Sequence, residues 1–308
     1  MAYYPSPNRR KLSIGADGNA LMMLIAVQLM VFILLAFIKV VYYFTYGAEG
    51  VGHYQQDILQ WVTLPASLSS LAHRPWTVIT HFLVHDGVWH LIANMLWLWA
   101  FGFIFQDLTG YRKLIPVFIY GALAGAVAFI AAYNLIPGLR SSLPVAEALG
   151  ASAGVMAIAI ATTVVAPDYR IFPMINGGIP LWVLTLVFAI IDLATIPYDN
   201  PGGHIAHLAG AGMGFLFATQ MQRGRDWSGW MNATWDWITN LFNPDRPAKG
   251  RVIKSDLFYK ASVPPFKKNS NLTQQKVDEI LEKIHQKGYN SLSEDEKEIL
   301  KRASKEDS

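Results

Sequence analysis

Gly150-Ala151-Ser152-Ala153-Gly154-Val155-Met156-Ala157 opens a run of apolar residues that continues to about Ala166, with a single hydroxyl just inside its start. A serine in that place either bonds its hydroxyl to a carbonyl one turn back or serves as a nucleophile. A second apolar run contains Gly203-His204-Ile205-Ala206-His207-Leu208-Ala209-Gly210, with histidine at a matching position. A serine and a histidine at equal depth in one membrane point to a nucleophile and its base.

The rest of the chain supplies that membrane. Its 308 residues are 53% hydrophobic and 15% charged, with a mean hydropathy of +0.27. Such a composition is too apolar for a water-soluble domain and predicts an all-α polytopic membrane protein with the lipid bilayer as its surroundings. The net charge is only +3. Because the basic residues flank apolar runs and form no stripe, a nucleic-acid partner is excluded. The sequence has no cysteine, which removes disulfides, thiol catalysis and thiolate metal sites. The first apolar run is long enough to span and to stay as an anchor, unlike a cleaved signal peptide.

Six spans are expected: Ala20–Tyr43, His85–Gln106, Leu114–Leu135, a fourth entering near Glu147 and ending at Ala166, Ile179–Ile196 and Gly203–Met221. Arg9, Arg10, Lys11, Arg112, Lys113, Arg170, Arg223 and Arg225 outnumber Arg74 and Arg140 on the opposite side, which predicts that both termini are cytoplasmic. Three parts follow: a cytoplasmic segment over 1–19, a six-helix membrane domain over 20–222, and a cytoplasmic linker with a short two-helix tail over 223–308. The outer loop over 44–80 is rich in apolar residues such as Ile58, Leu59, Trp61 and Leu68, and is expected to lie in the headgroup layer as short amphipathic helices. In the tail, Thr273 is expected to cap a helix carrying Val277, Ile280, Leu281 and Ile284, which Gly288 ends. Ser293 and Glu296 form a capping box for the next helix. These two helices are expected to dock an unidentified cytoplasmic partner or to stabilise the protein.

Ser152 and His207 each lie about five residues inside their spans, roughly 7–8 Å deep at the α-helical rise. Small residues permit close approach: Gly150, Gly154 and Ala161 on the fourth span, and Ala206, Gly210, Gly214 and Ala218 at helical spacing on the sixth. His207 is preferred to His204 as the base, since it sits on the glycine-rich run. Acyl transfer also needs donors for the developing oxyanion. His90 and Asn94 offer them from one face of the second span, unless Asn94 makes a structural hydrogen bond, and the Ser152 backbone N–H is a further donor. Asp192, near the outer end of the fifth span, is assigned an interfacial or packing role in preference to orienting His207.

Together these motifs resemble the rhomboid intramembrane serine proteases. His81-x3-His85-x4-His90-x3-Asn94 is similar to the family's histidine and asparagine motif, Gly150-Ala151-Ser152 to its nucleophile motif, and Ala206-His207-x2-Gly210-x3-Gly214 to its histidine helix. Arg74-Pro75-Trp76-Thr77 resembles the end of its first loop. The resemblance covers residues 20 to 222. It implies a six-helix rhomboid-like bundle, a Ser152–His207 dyad without a third acid, and His90 and Asn94 at the oxyanion. It also implies transmembrane-helix substrates cut near the outer face, no cofactor or metal, and a bacterial plasma membrane. Two positions depart from the pattern: Ala153 follows the serine where glycine is expected, and Met156 replaces an aromatic ring expected to pack on the histidine.

Two rival readings differ in class. A membrane metal enzyme or transporter would use outer-side histidines, with His81 and His85 at a zinc-compatible spacing, but it leaves Ser152, Asn94 and the glycines idle. A non-catalytic rhomboid-like chaperone that binds membrane helices would need neither Ser152 nor His207.

Overall fold

A computed structural model describes residues 19–171, 177–241 and 274–306. The expected basic cluster at Arg9, Arg10 and Lys11 and the expected cap at Thr273 lie outside the described residues. The chain divides between Phe242 and Asn243 into two compact units.

In the first unit α1 spans Ala20–Tyr46, and Asn19 Oδ1 accepts the Met22 N–H at 3.1 Å to begin it. The short helices α2 (Gly50–Asp57), α3 (Leu68–His73) and α4 (Thr77–Thr80) follow within the loop that the sequence suggested would hold such pieces. The long elements are α5 (Val88–Thr109), α6 (Leu114–Leu135), α7 (Ser152–Val165), α8 (Leu181–Thr195) and α9 (Pro201–Gln222). Three stretches, 20–61, 88–109 and 111–135, are long and apolar enough to cross a membrane. The helices α7 and α8 are apolar but shorter.

Helices that are apolar all round are what lipid demands. α1 turns Leu21, Leu24 and Leu35 inward, yet leaves Ile33 and Phe37 about two-thirds exposed. Its one buried amide, Gln28, is satisfied because Nε2 donates to the Phe82 carbonyl at 3.0 Å. The core runs through Leu98, Phe101, Phe105, Phe118, Ile158 and Phe217. At its centre α7 packs against α5, α6 and α9, while α9 also meets α6 and α8.

Two features fall outside an all-helical expectation. The two-residue strands β1 (Leu64–Pro65) and β2 (Glu147–Ala148) pair antiparallel, with Leu64 opposite Ala148. β3 (Arg170–Ile171) and β4 (Ile179–Pro180) do the same between α7 and α8. The first pair ties the long loop to the residues that lead into α7. Thr63 Oγ1 strengthens the tie by donating to Glu147 Oε2 at 2.5 Å, and the Arg74 guanidinium lies 3.7 Å from Glu147 Oε1. Trp61 and Trp76 stack 6.2 Å apart in the same loop.

The first unit continues past residue 222 through α10 (Gly229–Leu241). Arg112 grips Asp236 through two hydrogen bonds of 3.0 and 3.1 Å. Trp230 Nε1–H donates to the Tyr120 hydroxyl, which donates in turn to the Trp227 carbonyl. Trp230, Trp235 and Trp237 are exposed on this helix. Indole rings of this kind are suited to a membrane–water interface.

The second unit holds α11 (Gln274–Lys287) and α12 (Glu294–Glu306). Gly288, at φ 77°, follows the first of these. The expected capping box is present: Ser293 N–H donates to Glu296 Oε2 at 2.7 Å, and Glu296 N–H to Ser293 Oγ at 3.3 Å.

Candidate active site

Ser152 is the first residue of α7, so its backbone N–H belongs to the helix start, where no carbonyl of the same helix can take it. The turn before it needs Gly150, whose φ is +114°; a Cβ there would also lie 2.7 Å from His90 Cε1. Two histidines hold this turn in place. The His81 carbonyl accepts the Gly150 N–H at 2.9 Å, and His85 Nε2 lies 3.5 Å from the Ala151 N–H.

His207 projects from α9 toward the serine, and its Nε2 lies 2.7 Å from Ser152 Oγ. The separation depends on the glycines facing α7. A Cβ at Gly210 would run into the Ala153 carbonyl, and one at Gly214 into the Ala157 carbonyl. Ala153 fills space opened elsewhere, since Gly125 of α6 sits where any Cβ would come within 2.6 Å of the Ala153 methyl. The departure from glycine at 153 is thus accommodated by a glycine across the interface.

On its other side the His207 ring meets Asp192, with Nδ1 3.0 Å from Oδ1. This corrects the packing role expected for Asp192 and the expected absence of a third acid. An ionised carboxylate only accepts, so His207 carries its proton on Nδ1 and presents Nε2 as the acceptor for the serine hydroxyl. Met156 is buried in the helix core. The carboxylate contact orients the imidazole where the resemblance implied an aromatic ring. His204 Nδ1 also reaches Asp192 Oδ1, at 2.6 Å. The Asp192 side chain is only 6% exposed, whereas those of His204 and His207 are 17% and 21% exposed.

His90 lines one cavity together with Ser152, His207, Gly150, Asn200 and Phe129. Asn94 is buried a turn further along, and its Nδ2 donates to the His90 carbonyl at 2.9 Å, which leaves the second N–H of that amide uncommitted. The spacing of His81 and His85 does not place them on one helix face, because the short helix carrying His81 ends at Leu83. His81 Nδ1 is instead bonded to the Thr77 carbonyl. Among the described residues, the group of three that could hold a metal ion is Asp192, His204 and His207.

Residues 72–223 match the Rhomboid domain family. Among curated proteins the chain is similar to rhomboid-like protein 17, chloroplastic, of Arabidopsis thaliana, at 28% identity over 144 residues, 43% of each chain. The chain therefore spans under half the length of that relative. The domain formed by these residues belongs to the rhomboid family, and the protein is a membrane protein. Residues 266–306 match a separate family of unknown function.

Proposed function

We propose that the protein is a serine endopeptidase that cuts transmembrane helices of other membrane proteins near the outer face of the bilayer. The observation carrying this is the 2.7 Å approach of Ser152 Oγ to His207 Nε2, at the start of a helix within a rhomboid domain. In this reading α7, α8 and α9 complete six spans, both termini face the cytoplasm, and the host membrane is a bacterial inner membrane.

The chemistry follows from the atoms. Ser152 Oγ attacks the scissile carbonyl and passes its proton to His207 Nε2. Asp192 accepts from Nδ1–H and stabilises the imidazolium. The Ser152 backbone N–H, the His90 ring and the free N–H of Asn94 supply donors for the oxyanion. His207 then protonates the leaving amine, and in the second half takes a proton from the water that hydrolyses the acyl-enzyme.

The test is cleavage of a model single-span substrate by purified wild type, Ser152→Ala and His207→Ala, with and without a chelator. Both substitutions are expected to abolish cleavage, since the pair acts as a unit, and the chelator is expected to leave wild-type cleavage intact. Cleavage surviving in Ser152→Ala refutes the mechanism. A wild type that binds helices without cutting them points to the chaperone alternative.

A further inference from the structure

The carboxylate that orients His207 is shared, and the way it is shared points to a ligand. His204 and His207 stand three residues apart on α9, so both Nδ1 atoms meet the same Asp192 oxygen, at 2.6 and 3.0 Å. The other oxygen, Oδ2, is buried without a hydrogen-bond partner. A buried carboxylate with one oxygen left unpaired is unfavourable, and a cation bound beside it would offset its charge. The three ligand atoms lie within 4.8 Å of one another. Side-chain rotation can bring them to zinc–ligand distances of about 2.0–2.2 Å.

We propose that Asp192, His204 and His207 form a Zn²⁺ site whose occupancy switches the protease off. Two imidazole nitrogens and one carboxylate oxygen suit a borderline-soft ion with one position left for water, and do not suit Mg²⁺ or Ca²⁺, which prefer oxygen. The switch follows from the tautomer. A neutral His207 ring bound to the ion through Nδ1 must carry its single proton on Nε2. That nitrogen then donates, so it no longer accepts the proton of Ser152 Oγ. The proton only moves from one ring nitrogen to the other, and removal of the ion reverses it. The inhibitory part rests on the protease reading; the binding part does not.

The test uses the full chain in detergent, stripped with a chelator and then dialysed. Zn²⁺ binding is measured by calorimetry on wild type, Ser152→Ala, His204→Ala and His204→Gln, with Mg²⁺ as the control ion. Wild type and Ser152→Ala are expected to bind one ion, both His204 variants to bind it roughly ten-fold or more weakly, and Mg²⁺ not to bind. In the cleavage assay Zn²⁺ is expected to inhibit wild type reversibly, while the His204 variants, each measured against its own zinc-free rate, resist inhibition. Absence of binding to Ser152→Ala, or binding equally tight in both folded His204 variants, overturns the site. Binding to an active wild type without inhibition overturns the switch. A wild type that never cleaves but binds Zn²⁺ through His204 removes the protease reading and leaves the site standing.

Discussion

Asp192 Oδ1 and His207 Nδ1 lie 3.0 Å apart, on the opposite side of the imidazole from Ser152. Asp192→Asn keeps the shape but offers an amide that can donate to the ring and stabilise the wrong tautomer. Cleavage should fall by about 10²–10⁴ in kcat, with KM little changed. Steady-state kinetics on folded protein check this. An unchanged kcat would reduce Asp192 to a packing residue.

His90 and Asn94 should separate from the nucleophile in their kinetic effect. Loss of one oxyanion donor costs about 10²–10³ in kcat, so His90→Ala and Asn94→Ala should slow turnover while still allowing a fluorophosphonate to label Ser152. Ser152→Ala should abolish labelling. Gel-based labelling next to substrate turnover distinguishes the two classes.

The seam between α7 and α9 makes a steric prediction. Gly210→Val or Gly214→Val places atoms inside the Ala153 or Ala157 carbonyl, and overpacking of this kind typically costs about 1–3 kcal/mol or more. Both variants should melt at lower temperature in detergent and lose activity. Gly212→Ala is the control, because a Cβ there meets nothing within 4 Å. It should melt and cleave like wild type.

In the second unit, the Lys283 ammonium and the Ser293 backbone N–H hold the Glu296 carboxyl below its ordinary value. A depressed folded-state value means that this contact stabilises the unit above the unfolded carboxylate range. The contribution is lost as pH falls through the folded value. Hydrogen exchange on the intact protein should show α12 amides losing protection below about pH 4. Glu296→Gln should remove most of that pH dependence.

Much of the bundle was legible because apolar run length is a direct physical requirement. Leu114–Leu135 appears with the expected bounds, and α9 begins two residues before the expected Gly203, whereas α7 begins at Ser152 and not near Glu147, because Glu147 and Ala148 are taken up by the pairing with β1. The meeting of Ser152 and His207 agrees with the small residues read on both helices, although Ser152 is the first residue of α7 and not five residues inside it. Asp192 was misjudged because its role depends on how far α8 is rotated about its own axis, which span length does not specify. The signal lay in the charge itself: an aspartate within an apolar run is unfavourable unless it has a partner. The pairing of β1 with β2 was invisible, since two residues are too few to show alternation. Likewise, the attachment of α10 depends on Arg112 and Tyr120, more than a hundred positions earlier in the chain.

At Gly210 and Gly214 main chain meets main chain, with no side chain between the two helices. The gap from hydroxyl to imidazole is therefore gauged by peptide backbone, whose dimensions do not vary with the amino acids on the outer surface. Wholesale exchange of lipid-facing residues, to suit another bilayer or a detergent, should leave that gauge reading the same value.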